Sequence, residues 1–415
     1  MPHMSYVNGN CPNADDDVYS NSYDDPDHTP YNVHVTNLDI FFLSMSIITH
    51  IVDVAFDIHL AYRYYQGGEY EYFALTALFI LFPALVNTIV STRMYIKDED
   101  SISVAKMLST KWCIRVIILI FQLAPILRYC ESLGYALKSR QAEKEGKYVE
   151  QRTYYDLMLK EDSDVALLRV FECFLEAAPQ QVLQTTILLR ERGQPWSFQY
   201  FSQLGSVASS LCSMGWSMAS YHRSIRFAQQ NKSNMNKRGT VAQFLWHFMV
   251  TVSRILSISV AASLFAQWTV LACVIHWFVM AMWLKLTTRL TFCVDQTDSV
   301  FTRHIGELLF GTILALVYIF TYITPQQGHT RNRYLFYYTL CFVENICAAV
   351  LWATAETNNL RDVWYFYPLL VSCIVPFIIG IGFMILYYQC FHPANTRNHK
   401  SYPQQEIAVQ TETDL

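Results

Sequence analysis

Apolar residues gather into ten stretches, at about 38–64, 71–93, 111–137, 165–190, 199–221, 241–265, 269–291, 304–324, 334–355 and 364–390. Each approaches the ~20 residues that a helix needs to cross a hydrocarbon core ~30 Å thick. The fourth stretch breaks its own apolar pattern. Between Phe171 and Gln184 an acid or amide recurs at every fourth position: Glu172, Glu176, Gln180 and Gln184. On a helix this spacing stacks the four side chains into one slowly spiralling polar stripe. Pro179 lies within it and predicts a kink, because proline removes a backbone hydrogen bond. The first stretch carries a similar pair, Asp53 and Asp57, one face of a helix, with His50 just before them. A carboxylate at bilayer depth costs roughly 3 kcal/mol or more unless it finds a partner. Such groups mark a path, a relay or a buried ion network.

Charges in the loops set the orientation, since cytoplasmic loops are rich in lysine and arginine. The segment 223–238 carries Arg223, Arg226, Lys232, Lys237 and Arg238 with no acid, and is expected inside. Ten full crossings would put the charged linker Lys138–Asp164 outside, between loops assigned inside. If 111–137 and 304–324 instead enter and leave from the cytoplasmic side, the linker, 223–238 and Lys285–Arg303 all become cytoplasmic. Pro125 and Pro325 suit such broken helices. The predicted fold class is all-α: a polytopic membrane protein with eight transmembrane helices plus two re-entrant helices in two pseudo-symmetric halves. The expected organisation is an acidic, disordered cytoplasmic tail (1–37), a first membrane half (38–222), a basic linker (223–238), a second half (239–391) and a cytoplasmic tail (392–415). The polar, acidic opening predicts no cleavable signal peptide, leaving the first span as an uncleaved anchor. Glu344-Asn345 in the second half matches Glu172 in kind, and repeats of this sort place a site near their interface.

Composition agrees. Of 415 residues 53% are hydrophobic and 15% charged, against about 25% charged in ordinary soluble domains. A net charge of −4 gives no basic surface for nucleic acid. The cysteines are scattered singly, with no metal-ligand spacing. No phosphate-binding loop, nucleophile elbow or zinc-protease motif occurs, so the expectation is no enzyme, no cofactor and no metal. Arg254 falls in the middle of the 241–265 stretch and is the natural partner for a buried acid. The small residues of Leu204–Ser220 read as close helix packing, and Tyr62–Tyr65 and Trp364–Tyr367 as anchors at the membrane interface. From the residues alone, the polar groups either lock helices together or line a hydrated track.

Three stretches together, Glu176–Gln184 (EAAPQQVLQ), Glu344–Trp352 (ENICAAVLW) and Phe391-His-Pro393, resemble the XK-related membrane proteins, the family of the Kell-complex protein XK and the apoptotic phospholipid scramblases. Gln122–Tyr129 is similar to the first re-entrant segment of that family, and Asp53/Asp57 also fits. The resemblance implies eight spans, two re-entrant helices and a plasma-membrane location with both termini cytoplasmic. It implies exchange of membrane phospholipids between leaflets without ATP, with phosphatidylserine exposure during apoptosis. Asp53, Asp57, Glu172, Glu176, Gln180, Gln184, Arg254, Glu344 and Asn345 are then the candidate lipid path or gating network. Scramblases of this family are held inactive until a caspase cuts a cytoplasmic tail. Here Asp17, Asp27 and Asp298 are the candidate cut sites, in an acidic tail and a short loop. The closing Glu412-Thr-Asp-Leu415, with Thr413 and Leu415 as key positions, fits the carboxylate-terminal ligands of PDZ scaffolds. A non-scrambling membrane adaptor that docks a lipid-transfer protein or accessory subunit through Lys138–Asp164 is the alternative. A secondary transporter follows from the repeat alone and is the weaker reading.

Overall fold

A computed structural model describes residues 34–99, 124–191, 198–228, 235–287, 300–323, 331–355 and 363–392, and all regular elements among them are helical. Helix α1 (Asn37–Gln66) opens on a capping box, in which Thr36 and Asp39 satisfy each other's backbone N–H groups. It ends at Gly67-Gly68, where Gly68 takes φ 76°, a left-handed conformation suited to glycine. Helix α2 (Tyr70–Glu99) returns alongside α1. Helices α3 (Ala124–Lys144) and α4 (Tyr148–Glu172) form a hairpin around Gly146, also left-handed at φ 70°. The chain then passes through one π turn, Cys173–Ala177, into α5 (Ala178–Glu191) without interruption. Helix α6 is Phe198–Ala228, α8 is Val300–Val317 and α9 is Arg331–Thr354. Helix α10 (Phe366–Leu386) closes the bundle with a π turn at Tyr387–Phe391.

Helix α7 is assigned continuously over Lys237–Thr287, but Phe265 at φ −137°, ψ 72° is not helical. Arg254 and His276 lie equally far on either side of Phe265, and both reach the Glu344 carboxylate. On a straight helix they would stand about 33 Å apart. The chain therefore folds back at Phe265, and α7 is two antiparallel arms joined beside the exposed Trp268. The turn falls in the gap between the apolar stretches 241–265 and 269–291.

Five helices (α1, α2, α7, α9 and α10) are long and apolar enough to cross a membrane among the described residues. Their large apolar side chains point outward, as with Phe56, Leu78, Phe278, Val343 and Ile378. An apolar exterior of this extent belongs in lipid rather than water. The buried core gathers on α4–α5, α6, α7 and the end of α8. Glycines allow the closest approaches: Gly215 of α6 lies against Phe248, and Gly380 of α10 against the backbone of Trp246 and Val250.

Where α8 stops, the backbone carbonyls are met inside the bundle. All of Val317 through Ile323 but the half-buried Ile319 are buried. Arg254 Nε donates to the Ile319 carbonyl at 3.0 Å, and His276 Nε2 lies 3.0 Å from the Tyr318 carbonyl. A helix end buried away from water needs such partners. On the other side of the molecule Arg128, fully buried, holds α2, α3 and α4 together. It donates to Glu161 and Asp164 at 2.8 Å each, reaches Ser91, and stacks 4.1 Å from the Tyr95 ring centre.

Candidate functional site

A cavity of about 600 Å³ lies between α1 and the α4–α5–α6 wall. The acid and amide stripe forms one side of it: Glu172, Glu176, Gln180 and Gln184 all line it. An ideal α-helix turns four residues through slightly more than one revolution, so such a stripe drifts by about 40° per step. The wider π turn at Cys173–Ala177 takes back part of that drift at Glu172–Glu176. Pro179, which lacks an N–H to bond back toward Leu175, sits just after this loosened turn. The expected break is thus realised as a π turn within a continuous helix, and it keeps the stripe facing α1.

From α1, His50, Asp53 and Asp57 face the stripe. Nδ1 of His50 is 3.1 Å from the Glu172 carboxylate, with the imidazole buried and Glu172 half-buried. Asp57 lies against Glu176 one turn further along. The two helices run in the same direction, so the sequence order of the acids is their order along the cavity.

Two arginines flank the acids. Arg169, one turn before the stripe, contacts the Tyr129 hydroxyl at 3.4 Å, while Arg63 lines the cavity near the other end of α1. The third wall is a hydroxyl row on α6, Ser206, Ser209, Ser210 and Ser213. Helix α6 therefore uses its small residues twice: Gly215 packs against Phe248, and the serines face the cavity. Packing, which the spacing of small residues predicts, accounts for only one of these faces. The arginines and serines are absent from the sequence-derived set. Arg169 is legible as a further member of the stripe's helical face, three residues before Glu172, but Arg63 is masked by its aromatic neighbours.

The structure brings Asp53, Asp57, Glu172, Glu176, Gln180 and Gln184 together and places Arg254, Glu344 and Asn345 elsewhere. Those three form a separate buried cluster, with Arg254 donating to Glu344 at 2.7 Å and to Asn345 at 2.9 Å. His276 Nδ1 is 2.8 Å from Glu344, and Asn345 donates to Ser253 at 2.9 Å. No residue of this cluster lines the cavity. Asp17, Asp27, Asp298, Thr413 and Leu415 lie outside the described residues. Among the described residues no group of histidine, cysteine, aspartate and glutamate has the geometry to hold a metal ion.

The chain is 27% identical over 410 residues to cell death abnormality protein 8 of Caenorhabditis briggsae, covering 92% of this chain and 84% of that protein. It is 27% identical over 414 residues to the Caenorhabditis elegans protein of that name, covering 94% and 84%. Residues 41–393 match the family profile described as XK-related protein, a range that spans both arms of the cavity and the buried Arg254 cluster, and the chain belongs to the XK-related family.

Proposed function

We propose that this protein is a phospholipid scramblase, letting lipid headgroups cross between leaflets along the cavity beside α1 without ATP. The observation that carries this reading is the cavity itself: a polar wall of acids, amides and hydroxyls enclosed by helices whose outer faces are apolar. A headgroup does not cross ~30 Å of hydrocarbon unaided. Sliding along a polar helix face while the acyl tails stay in lipid removes most of that barrier. The names of the two relatives tie them to cell death, which supports exposure of phosphatidylserine in dying cells as the setting. The reading includes a plasma-membrane location, eight spans with re-entrant segments near 111–137 and 304–324, two pseudo-symmetric halves and both termini in the cytoplasm. Two features support this topology: the turn at Phe265 and the burial of the α8 end. Release by a caspase at Asp17, Asp27 or Asp298, and a PDZ partner for Thr413–Leu415, complete it.

The test is reconstitution of the full chain in liposomes with acyl-labelled lipid. The wild type exchanges label between leaflets, and Glu176→Ala with Gln180→Leu abolishes exchange; exchange at the wild-type rate in that variant overturns the track. The membrane-adaptor reading is favoured by the exposed Tyr148 and Val149 at the tip of the α3–α4 hairpin. Wild-type protein that binds a partner through this tip yet exchanges no lipid in liposomes supports the adaptor instead.

A further inference from the structure

The charges around the cavity are only partly paired with one another: His50 meets Glu172 at 3.1 Å, and Asp57 lies against Glu176. Four carboxyl groups, Asp53, Asp57, Glu172 and Glu176, line it together, with Arg169 one turn before them on α4 and Arg63 beyond them on α1. Among the described residues neither arginine forms a direct ion pair with a carboxylate. Arg169 feels Glu172 without touching it and rests on a neutral phenol. Compare Arg128 and Arg254, each bonded directly to carboxylates at 2.7–2.8 Å. The same chain thus pairs its structural arginines and leaves the two cavity arginines apart from the acids. In the same wall Gln181 Oε1 is buried and has no hydrogen-bond partner, with its side chain only 6% exposed. Buried polar atoms of this kind need a partner.

We infer that the cavity takes headgroups that carry both a phosphate and an ammonium group, and discriminates against headgroups that are only anionic; this rests on the scramblase reading above. A phosphate is recognised by a guanidinium through charge-assisted hydrogen bonds. An ammonium group is stabilised among carboxylates, where a second negative charge is repelled. With an arginine before and beyond the acids, a zwitterionic headgroup entering from either side meets the same sequence. Its phosphate sits at an arginine while its ammonium leads into the acidic middle. At the far end the order reverses, and the phosphate is handed to the other arginine. A phosphoglycerol or a phosphate monoester has nothing to place among four carboxyl groups. Phosphoserine, with an ammonium and a carboxylate, falls between. Specificity here comes as much from repulsion of the wrong headgroup as from attraction of the right one.

The experiment is liposome exchange by the full chain with acyl-labelled phosphatidylcholine, phosphatidylethanolamine and phosphatidylglycerol, one at a time. The first two are expected to exchange roughly tenfold faster than the third, a difference modest enough for a few charge contacts to supply. Asp53→Asn with Glu172→Gln, near-isosteric changes, should bring the three rates together. Equal rates for all three lipids in the wild type overturn the headgroup inference and leave the scramblase reading standing. If no lipid exchanges, the scramblase reading fails, and binding decides the inference separately. Dihexanoyl-phosphocholine should then raise the unfolding temperature of the detergent-purified protein more than dihexanoyl-phosphoglycerol does, with the difference lost in the double variant. Equal stabilisation by the two short-chain lipids overturns it.

Discussion

Arg254 shows how one side chain holds the second half of the molecule. Its guanidinium joins three elements: the Ile319 carbonyl at the end of α8, and Glu344 and Asn345 on α9, all approached from α7. Removing one partner of a buried ion pair strands the other at a cost of about 3–5 kcal/mol, and here the loss lies toward the low end because Glu344 is partly exposed and keeps His276. Arg254→Met should therefore lower the thermal unfolding midpoint of the purified protein sharply, and adding Glu344→Gln should recover part of the loss. Failure of the second change to recover anything would show that the carbonyl contact, not the ion pair, dominates. In the stretch read as a cytoplasmic linker, Asp162 on the α3–α4 hairpin offers a pH test. Burial is the main cause that lifts its carboxyl from 3.8 to about 6, with nearby Asp39 adding to it and a hydrogen bond from Ser132 opposing it. A raised native value means the folded state binds the proton more tightly than the unfolded chain does. The stabilisation is complete below about pH 4 and is lost as pH rises through about 6. The unfolding temperature should thus fall from pH 5 to pH 7, and Asp162→Asn should flatten that fall.

At the scale of elements, the helices most legible in the sequence were those that meet lipid. For α1, α2, α9 and α10 the apolar stretches coincide with observed helices to within a few residues at most ends, because lipid contact demands apolar side chains along the full length. The α4–α5 and α6 helices are not apolar enough to pass that criterion. Their missing hydrophobicity is what lines the cavity, so the least membrane-like helices mark the site. Reading α4 as a linker separate from the span that follows missed its continuity. No glycine or proline falls between Gly146 and Pro179, so nothing stops the helix where charge gives way to apolar residues. The end of α8 at Val317, before the expected boundary at 324, was also illegible. It depends on Arg254 and His276, far along the chain, capping its carbonyls. The structure sets the polar stripe, Asp53 and Asp57 around one cavity and Arg254, Glu344 and Asn345 in a separate cluster, a division that depends on which helices adjoin. Helix packing also gives a mutational test. A Cβ on Gly380 would lie 2.8 Å from Val250 Cγ2 and 3.1 Å from the Trp246 carbonyl. Gly380→Val should force α10 away from α7 at a cost of about 1–3 kcal/mol, read as a lower unfolding midpoint. Gly382→Ala, where a Cβ meets nothing within 4 Å, is the matched control.

For the molecule as a whole, the decisive feature is how α1 is held. Its N-terminal end is pinned to the hairpin: Val35 is buried beside Ala136 and Tyr155, and His34 and Asn37 bond Glu143 and Arg140. Its other end is tied to α2 through the Gly67-Gly68 turn, with Tyr65 against Phe73. Between these ends α1 packs on α2 and α3 and leaves the cavity between itself and α6. On the proposed function the polar wall is entered from the side, by lipid, instead of through a pore along a bundle axis. A lateral entrance suits a cargo whose tails never leave the hydrocarbon. It also predicts where an obstruction matters. Filling the serine wall with a large ring, Ser209→Trp, should cut lipid exchange in liposomes to less than about a tenth, a barrier change near 1.4 kcal/mol or more. The same residue placed on the lipid-facing side of α2, Leu78→Trp, adds bulk outside the cavity and should leave exchange unchanged. Equal effects of the two substitutions would place the lipid route on another face of the protein. Loss confined to Ser209→Trp would tie it to the cavity under α1.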